Sequence, residues 1–336
     1  MKDGQIAGLV KATAERLRHG GVTNARREAE WIVQEVIGRD RWLSGVCRRT
    51  PLSADETARV TELARERAGG RPLQYVLGTV EFHGRTFSVG PGVLIPRPET
   101  EQLVELALGL YPGHGEVCDL CTGSGVIAIS LALTLPGPPH VLATDISEPA
   151  LAYARRNAAA LGAANLTLVQ GDLFGPLPAP RRFSLITANP PYVSAGEYDA
   201  LPCEVRNHEP ATALLAGSEG LDIIRRIADG APRFLSPDGW LLLEIGETQG
   251  AAVRELLDAR GYAEVAVRPD YAGRDRFALA RSRGALRRLP HGAADGRPAG
   301  SRLRCGGGKR WMEAAGGVVR PVGEARGAAG AGGGAF

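Results

Sequence analysis

The segment Asn189-Pro190-Pro191-Tyr192 carries the residue types with the clearest chemical meaning in this chain. It follows the apolar run 183–188, which is typical of a buried strand, and its two prolines predict a stiff turn at the carboxyl end of that strand. The Asn189 side-chain carbonyl and the Pro190 backbone carbonyl could accept the two hydrogens of an amino or amide NH2 group. Tyr192 adds a flat face for a planar substrate. Because Asn-Pro turns are common, this interpretation depends on a second site upstream.

That second site is a glycine-rich loop between a predicted strand and a predicted helix. Gly123 and Gly125 would let the backbone pass close to a ligand, and the helix that begins near Gly125 would point its N–H groups at it. Asp145 ends another strand-like run, 20 positions after Gly125, where a carboxylate can accept hydrogen bonds from ribose hydroxyls. The loop alone fits a nicotinamide dinucleotide almost as well, so a dinucleotide-dependent oxidoreductase remains an alternative.

The glycine loop, the ribose acid and Asn-Pro-Pro-Tyr together resemble the S-adenosylmethionine-dependent methyltransferases that modify NH2 nitrogens. Within that group, six segments look like the HemK-type release-factor glutamine methyltransferases, namely 71–78, 82–84, 94–101, 204–210, 243–246 and 270–276. The resemblance runs from about the first helix to about Arg281. It implies methyl transfer from S-adenosyl-L-methionine to the side-chain nitrogen N5 of the Gln in the Gly-Gly-Gln motif of class I peptide chain release factors, in support of translation termination.

The resemblance also implies the roles of individual residues. The expected catalytic residues are Asn189, Pro190 and Tyr192. Expected substrate-binding residues are Asn189, Pro190, Pro191, Tyr192, Arg97 and Glu99, and His208 and Glu209 are further candidates for the pocket rim. The expected cofactor-binding residues are Cys121, Thr122, Gly123, Ser124, Gly125, Asp145, Asp172, Leu173 and Asn189. No metal is expected.

Two residues depart from the family pattern. Cys121 stands where the family usually has a glycine, and its side chain at the mouth of the loop predicts weaker cofactor binding. Leu173 stands where related enzymes often carry an aromatic residue against the adenine, so it could cover the ring only by apolar contact. Asp172 could still accept the adenine amino hydrogens.

The chemistry of the acceptor predicts a mechanism without a nucleophilic residue. An amide nitrogen is a poor nucleophile, whereas a sulfonium methyl is already activated, so the enzyme must mainly align nitrogen, methyl and sulfur. Hydrogen bonds to Asn189 and Pro190 would orient the amide and stabilise the positive charge that develops on it. His208 is therefore not needed as a general base. The alternatives within this chemistry are a ribosomal-protein glutamine methyltransferase and a nucleic-acid amino methyltransferase.

Length and composition are typical of a soluble, cytoplasmic enzyme. The chain has 336 residues, 44% of them hydrophobic, without an apolar run near the roughly 20 residues that cross a bilayer. Residues 1–4 do not begin a signal peptide. The five cysteines are scattered, which excludes a disulfide framework, and the Cys-x-x-Cys spacing of Cys118 and Cys121 is interpreted as a coincidence.

Charge is divided unevenly along the chain. Residues 281–336 contain 11 Arg and Lys against 3 Asp and Glu, whereas residues 1–280 contain 29 against 34. The mildly acidic body argues against stable nucleic-acid binding. We expect class I release factors as partners, no membrane association and a monomer.

The elements that position these residues fall into four predicted regions. Residues 1–75 form a helical domain that, by the resemblance, docks the protein substrate; 76–95 form a hairpin linker, 96–281 the methyltransferase domain, and 282–336 a disordered basic tail rich in Gly, Ala and Arg. In the first region, Thr23 is expected to cap the second helix, and Ser53 and Glu56 have capping-box spacing before a third.

The third region alternates strands with helices, which predicts a doubly wound α/β fold. Strands are expected near 116–120, 141–144, 166–170, 183–188, 240–245, 263–268 and 276–280, and helices near 100–110, 125–135, 149–161, 221–235 and 248–259. The resemblance implies a Rossmann-like, seven-stranded class I methyltransferase domain with a final reversed pair of strands.

Overall fold

The computed structural model of the protein describes residues 4–39, 42, 51–177 and 181–283. Beyond residue 283, the predicted tail lies outside the described residues. Within the described part of the chain, no helix is both long and apolar enough to cross a membrane.

Four helices that the structure describes over their whole length precede the first strand. They are α1 (Gly4–His19), α2 (Ala25–Ile37), α3 (Ala54–Ala68) and α4 (Leu73–Leu77), and their shared core includes Val10, Leu17, Ile32, Val33, Val60 and Leu63. The capping box is confirmed, since the Glu56 N–H donates to Ser53 Oγ and the Ser53 N–H donates to Glu56 Oε2. The predicted cap at Thr23 is wrong. Helix α2 begins at Ala25, so the N-cap position falls on Asn24, whose side chain makes no capping hydrogen bond.

A buried ion pair ties these helices to each other and to the rest of the chain. Arg67 of α3 donates from Nε to Glu28 Oε2 at 2.6 Å and from Nη2 to Glu28 Oε1 at 3.3 Å. Its Nη1 donates to Glu204 Oε2 at 3.1 Å, in the distant helix 203–208. Both Arg67 and Glu28 are less than a tenth exposed. The Arg67 guanidinium group therefore links α3 to α2 through Glu28 and to helix 203–208 through Glu204.

The predicted hairpin is confirmed. Strands β1 (Thr79–Phe82) and β2 (Arg85–Ser88) pair antiparallel, and positive φ angles at His83 and Gly84 make the tight turn. Phe82 and Phe87 lie edge to face, with ring centroids 6.0 Å apart. Both rings pack into the core of the following domain, so the hairpin is part of that packing.

The remaining strands form one seven-stranded sheet within the described residues. They are β3 (Glu116–Leu120), β4 (Val141–Asp145), β5 (Leu166–Gln170), β6 (Phe183–Ala188), β7 (Leu235–Glu244), β8 (Ala263–Pro269) and β9 (Asp275–Arg281). Their order is β5-β4-β3-β6-β7-β9-β8, parallel except that β9 runs antiparallel to both neighbours. The doubly wound architecture is confirmed. Of the expected final pair, only β9 is reversed, because β8 runs in the same direction as β7.

Helices flank this sheet and divide the buried residues between its two faces. They are α5 (Glu99–Leu110), α6 (Val126–Thr134), α7 (Glu148–Leu161), α8 (Ala195–Ala200), α9 (Cys203–His208), α10 (Asp222–Gly230) and α11 (Gly250–Ala259). The helix predicted to reach residue 235 ends at Gly230, because Pro232 cannot continue it and a 3-10 turn follows. Strand β7 begins at Leu235, earlier than predicted, and its pairing with β6 shifts register between Phe183 and Leu185.

The order of strands determines where a ligand can bind. From β3 the chain moves outward to β4 and β5, and it then crosses back to place β6 on the other side of β3. Crevices form at the carboxyl ends of strands at such a switch point. The loops after β3 and β6 therefore meet at one edge of the sheet.

Candidate active site

The loop after β3 is a tight turn whose backbone repeatedly adopts the left-handed conformation. Cys121, Gly123 and Gly125 all have positive φ, at 55°, 58° and 83°. A Cβ on Gly125 would lie 2.9 Å from Ile129 Cδ1, so this position needs glycine for space as well as for backbone conformation. At Cys121, the same conformation carries a side chain at an energetic cost.

Asp145 at the end of β4 is fixed by two backbone donors. Its Oδ2 accepts from the Gly123 N–H at 2.8 Å, and its Oδ1 accepts from the Ser147 N–H at 2.8 Å. Burial raises the pKa of Asp145. A carboxylate has about four lone-pair sites, so this one can also accept hydrogen bonds from a ligand. The structure thus brings the glycine loop and the predicted ribose acid into direct contact.

These residues line a cavity of about 340 Å³, a volume within the range of small-molecule sites. Its walls come from residues within segments 92–96, 121–127, 145–150, 171–173, 189–191 and 210–215, with Thr100, Ile223 and Arg226. Asn189 and Pro191 are among the lining residues, whereas Gly125, Pro190 and Tyr192 are not. The lining also lacks the four predicted rim residues, which are Arg97, Glu99, His208 and Glu209.

The wall chemistry fits S-adenosylmethionine. Ile146 lines the cavity and is 63% exposed although it is apolar, which leaves a hydrophobic surface free for a flat base. Ser124 also lines the cavity, and its buried Oγ has no hydrogen-bond partner among the described residues. Asp145 offers acceptors between these two regions. The cavity therefore combines an apolar wall, a carboxylate with acceptor sites to spare and a hydroxyl without a partner among the described residues.

Asp172 and Leu173 both line the cavity, and Asp172 has an ion-pair partner that the sequence did not predict. Arg226 of α10 donates from Nη2 to Asp172 Oδ2 at 2.6 Å, and both side chains are half exposed. Leu173 is buried with a φ of 50°, and its carbonyl accepts from the Thr144 hydroxyl. No motif singles out Arg226, because its role depends only on where α10 packs.

Asn189 lies at the cavity wall and is held from behind by a chain of hydrogen bonds. Its Nδ2 donates to Thr100 Oγ1 at 3.3 Å, and the Thr100 hydroxyl donates to Glu244 Oε2 at 2.8 Å. The Tyr192 hydroxyl donates to Glu244 Oε1 at 3.4 Å. Burial raises the pKa of Glu244 to about 7 and also raises the pKa of Tyr192. Sequence reasoning missed the roles of Glu244 and Thr100, although both lie in segments that resemble the family.

Three of the four predicted rim residues form ion pairs next to segments that line the cavity. Arg97 Nη2 donates to Glu209 Oε1 at 2.6 Å, and Glu209 Oε2 accepts from the Ile95 N–H at 3.1 Å. The Glu209 side chain is 1% exposed, so it anchors the segment before α5. Glu99 is paired with Arg274 at 3.4 Å.

Comparisons with known proteins agree with this architecture. The model of the PrmC N-terminal domain matches residues 9–78, and that of a methyltransferase domain matches residues 113–260. A release factor glutamine methyltransferase of Geobacter sulfurreducens is 44% identical over 271 residues, which are 81% of this chain and 94% of that protein. One from Cereibacter sphaeroides is 43% identical over 278 residues, covering 82% and 98%.

A solved structure belongs to the same group. The protein-(glutamine-N5) methyltransferase (release factor-specific) of Alicyclobacillus acidocaldarius is 28% identical, covers 59% of this chain and 99% of that one, and has a TM-score of 0.36.

The sheet order and the cavity at its switch point define a class I methyltransferase that depends on S-adenosylmethionine. Sequence identities of 44% and 43% to two release factor glutamine methyltransferases, over about four fifths of the chain, indicate which methyltransferase family this is. The chain belongs to the release factor glutamine methyltransferase family. The predicted family, fold class, enzyme type and cofactor are confirmed.

Proposed function

We propose that this chain methylates the side-chain nitrogen N5 of the Gln in the Gly-Gly-Gln motif of class I peptide chain release factors. The observation that carries the proposal is the position of Asn189, which lies at the wall of the cofactor cavity directly after β6. An oxidoreductase would have no use for an amide acceptor held there. Such a substrate places the reaction in the cytoplasm, and a monomer is sufficient for it.

The acceptor nitrogen needs orientation more than activation. When bound, S-adenosylmethionine supplies a methyl group that is already activated by its sulfonium. Asn189 Oδ1 and the Pro190 carbonyl accept the two hydrogens of the substrate amide and aim its nitrogen at that methyl. Transfer would leave the cofactor as a neutral thioether, and the methylated nitrogen would release one proton to water. Fixed acceptors stabilise the positive charge that develops on nitrogen.

The cofactor would be held by the residues around the glycine loop. Asp145 accepts from the ribose hydroxyls, Ile146 and Leu173 cover the adenine, and Asp172 accepts from its amino group. Thr122, Gly123, Ser124 and Gly125 form the loop around the rest of the molecule, with the Cys121 side chain at its mouth.

The helical region 1–75 docks the release factor in this proposal. The support is the Arg67 contact, which links that region to α9, the helix directly before the cavity-lining segment 210–215. A single α/β domain has little surface with which to select one glutamine in a large partner. The hairpin 76–95 connects the two parts.

Mass spectrometry of a class I release factor, after incubation with the enzyme and S-adenosylmethionine, tests the proposal. We expect one added methyl group on the Gly-Gly-Gln glutamine, and no label when that Gln is replaced by Ala. Asn189→Ala should lower the rate by about 100-fold or more, as loss of one preorganised oxyanion-hole donor does. Persistent label on the Ala-containing factor, or efficient methylation of a ribosomal protein or naked nucleic acid, would refute this substrate.

A further inference from the structure

Glu244 is a charged group whose role the proposed mechanism leaves open. It is the last residue of β7, is 1% exposed, and uses one oxygen for Thr100 and the other for Tyr192. Thr100 lies in the first turn of α5 and is 2% exposed. Thr100 also lines the cavity, and its hydroxyl links the Glu244 carboxylate to the Asn189 amide.

The direction of each hydrogen bond follows from the charge on Glu244. An ionised carboxylate can only accept, so the single Thr100 hydroxyl proton points toward Glu244. The Thr100 oxygen is then left with lone pairs on its other side, where it accepts from the Asn189 NH2 group. The oxygen of the same amide must point away from Thr100, toward the cavity.

Without this chain, the Asn189 amide could rotate. The terminal torsion of Asn is broad, and its two ends differ little in shape. One orientation offers the acceptor substrate an oxygen, and the other offers it an NH2 group that would oppose its own hydrogens. The difference decides whether the substrate nitrogen is held.

We propose that Glu244 and Thr100 are positioning residues, which fix the Asn189 amide with its oxygen toward the acceptor nitrogen. This inference rests on the proposed function and adds two residues to it. It also gives Tyr192 a second role, because its hydroxyl keeps the other carboxylate oxygen in place.

The surroundings of Glu244 make this control sensitive to pH. Burial is the main reason that its pKa is raised to about 7; Glu99 of α5 acts in the same direction, and Thr100, Arg276 of β9 and Tyr192 act in the opposite direction. Once protonated, the carboxyl group can donate to Thr100, and the Thr100 hydroxyl can donate to Asn189 Oδ1. The amide would then turn its NH2 group to the cavity. Methyl transfer should therefore fall as the pH drops through about 7.

A comparison of Thr100→Val with Thr100→Ser tests the hydroxyl. Valine keeps the shape but removes the acceptor, so kcat should fall about tenfold, the equivalent of one hydrogen bond. The KM for the release factor and the Kd for S-adenosylhomocysteine should change by less than about twofold. Serine should restore most of kcat. Thr134→Val makes the same change on α6, outside the site, and should match the wild type.

Glu244→Gln tests the carboxylate. Its kcat should be lower than that of the wild type at pH 8, and it should lose the decline in kcat around pH 7. Thr100→Val with wild-type kcat, or an unchanged pH profile in Glu244→Gln, would overturn the inference.

The Asn189 side-chain amide gives a readout that needs no substrate. In protein labelled with 15N-asparagine, its NH2 signal should shift with pH around 7 in the wild type but not in Glu244→Gln. Absence of that shift in the wild type would refute the positioning role even if the release factor is methylated. Conversely, if the shift is present but no release factor is labelled, the proposed substrate is wrong and the positioning role stands.

Discussion

Replacing Arg67 by Met should destabilise the protein strongly, because it would leave the Glu28 carboxylate buried without a partner. Both Arg67–Glu28 contacts are short, at 2.6 and 3.3 Å, and the two side chains are only about a tenth exposed. Breaking a buried pair in this way costs about 3–5 kcal/mol. Glu204 is 39% exposed and regains water, so it adds little. We expect a loss of about 3 kcal/mol, or a fall of roughly 6–12 °C in the melting temperature.

Thermal melts, with hydrogen exchange to locate the loss, would measure this effect. Exchange should accelerate first in α2 and α3. The double variant Arg67→Met/Glu28→Leu removes both charges and should recover most of the stability. Arg59→Met breaks an exposed pair with Glu62 on the same helix and should leave the melt unchanged. A fall below about 2 °C for Arg67→Met, or no recovery in the double variant, would contradict this account of the ion pair.

Three further predictions concern the loop, the buried acid and the tail. Gly125→Ala forces a side chain against Ile129 and a positive φ, so calorimetry should show S-adenosylhomocysteine binding weakened at least tenfold. Because the folded-state pKa of Glu244 is raised from 4.5 to about 7, the folded chain binds more protons than the unfolded chain between those values. Stability should thus fall as pH rises across that window, and less so in Glu244→Gln, as urea titrations at several pH values would show. Truncation after Arg281, the end of β9, should leave melting and methyl transfer unchanged, and a loss of either would assign the tail a role.

The features that could be predicted from the sequence are those that depend on residues close together along the chain. Strand ends, the glycine loop and the Ser53 capping box follow from local periodicity and backbone preference, and the structure places them within a few residues of expectation. Asp145 could be predicted because the carboxyl ends of adjacent parallel strands share one edge.

Contacts between distant residues could not be predicted in this way. Thr100 and Glu244 are 144 positions apart, and Asp172 and Arg226 are 54 apart. Their meeting depends on how α5 and α10 pack on the sheet, which periodicity does not determine. The same limit applies to Tyr192, whose hydroxyl binds Glu244 behind the cavity.

Helix α9 is held at both of its ends, which has a consequence for how a substrate would be selected. Glu204 near its start is bound by Arg67 of the helical region, and Glu209 just after its end holds Ile95 and Arg97 at the site mouth. This short connection links the helical region to the segments on either side of the cavity wall. A partner bound to those helices would bring to the cavity only a glutamine that lies at the matching distance from its docked surface. Selection of one glutamine among many would then depend on that distance more than on the residues next to the target.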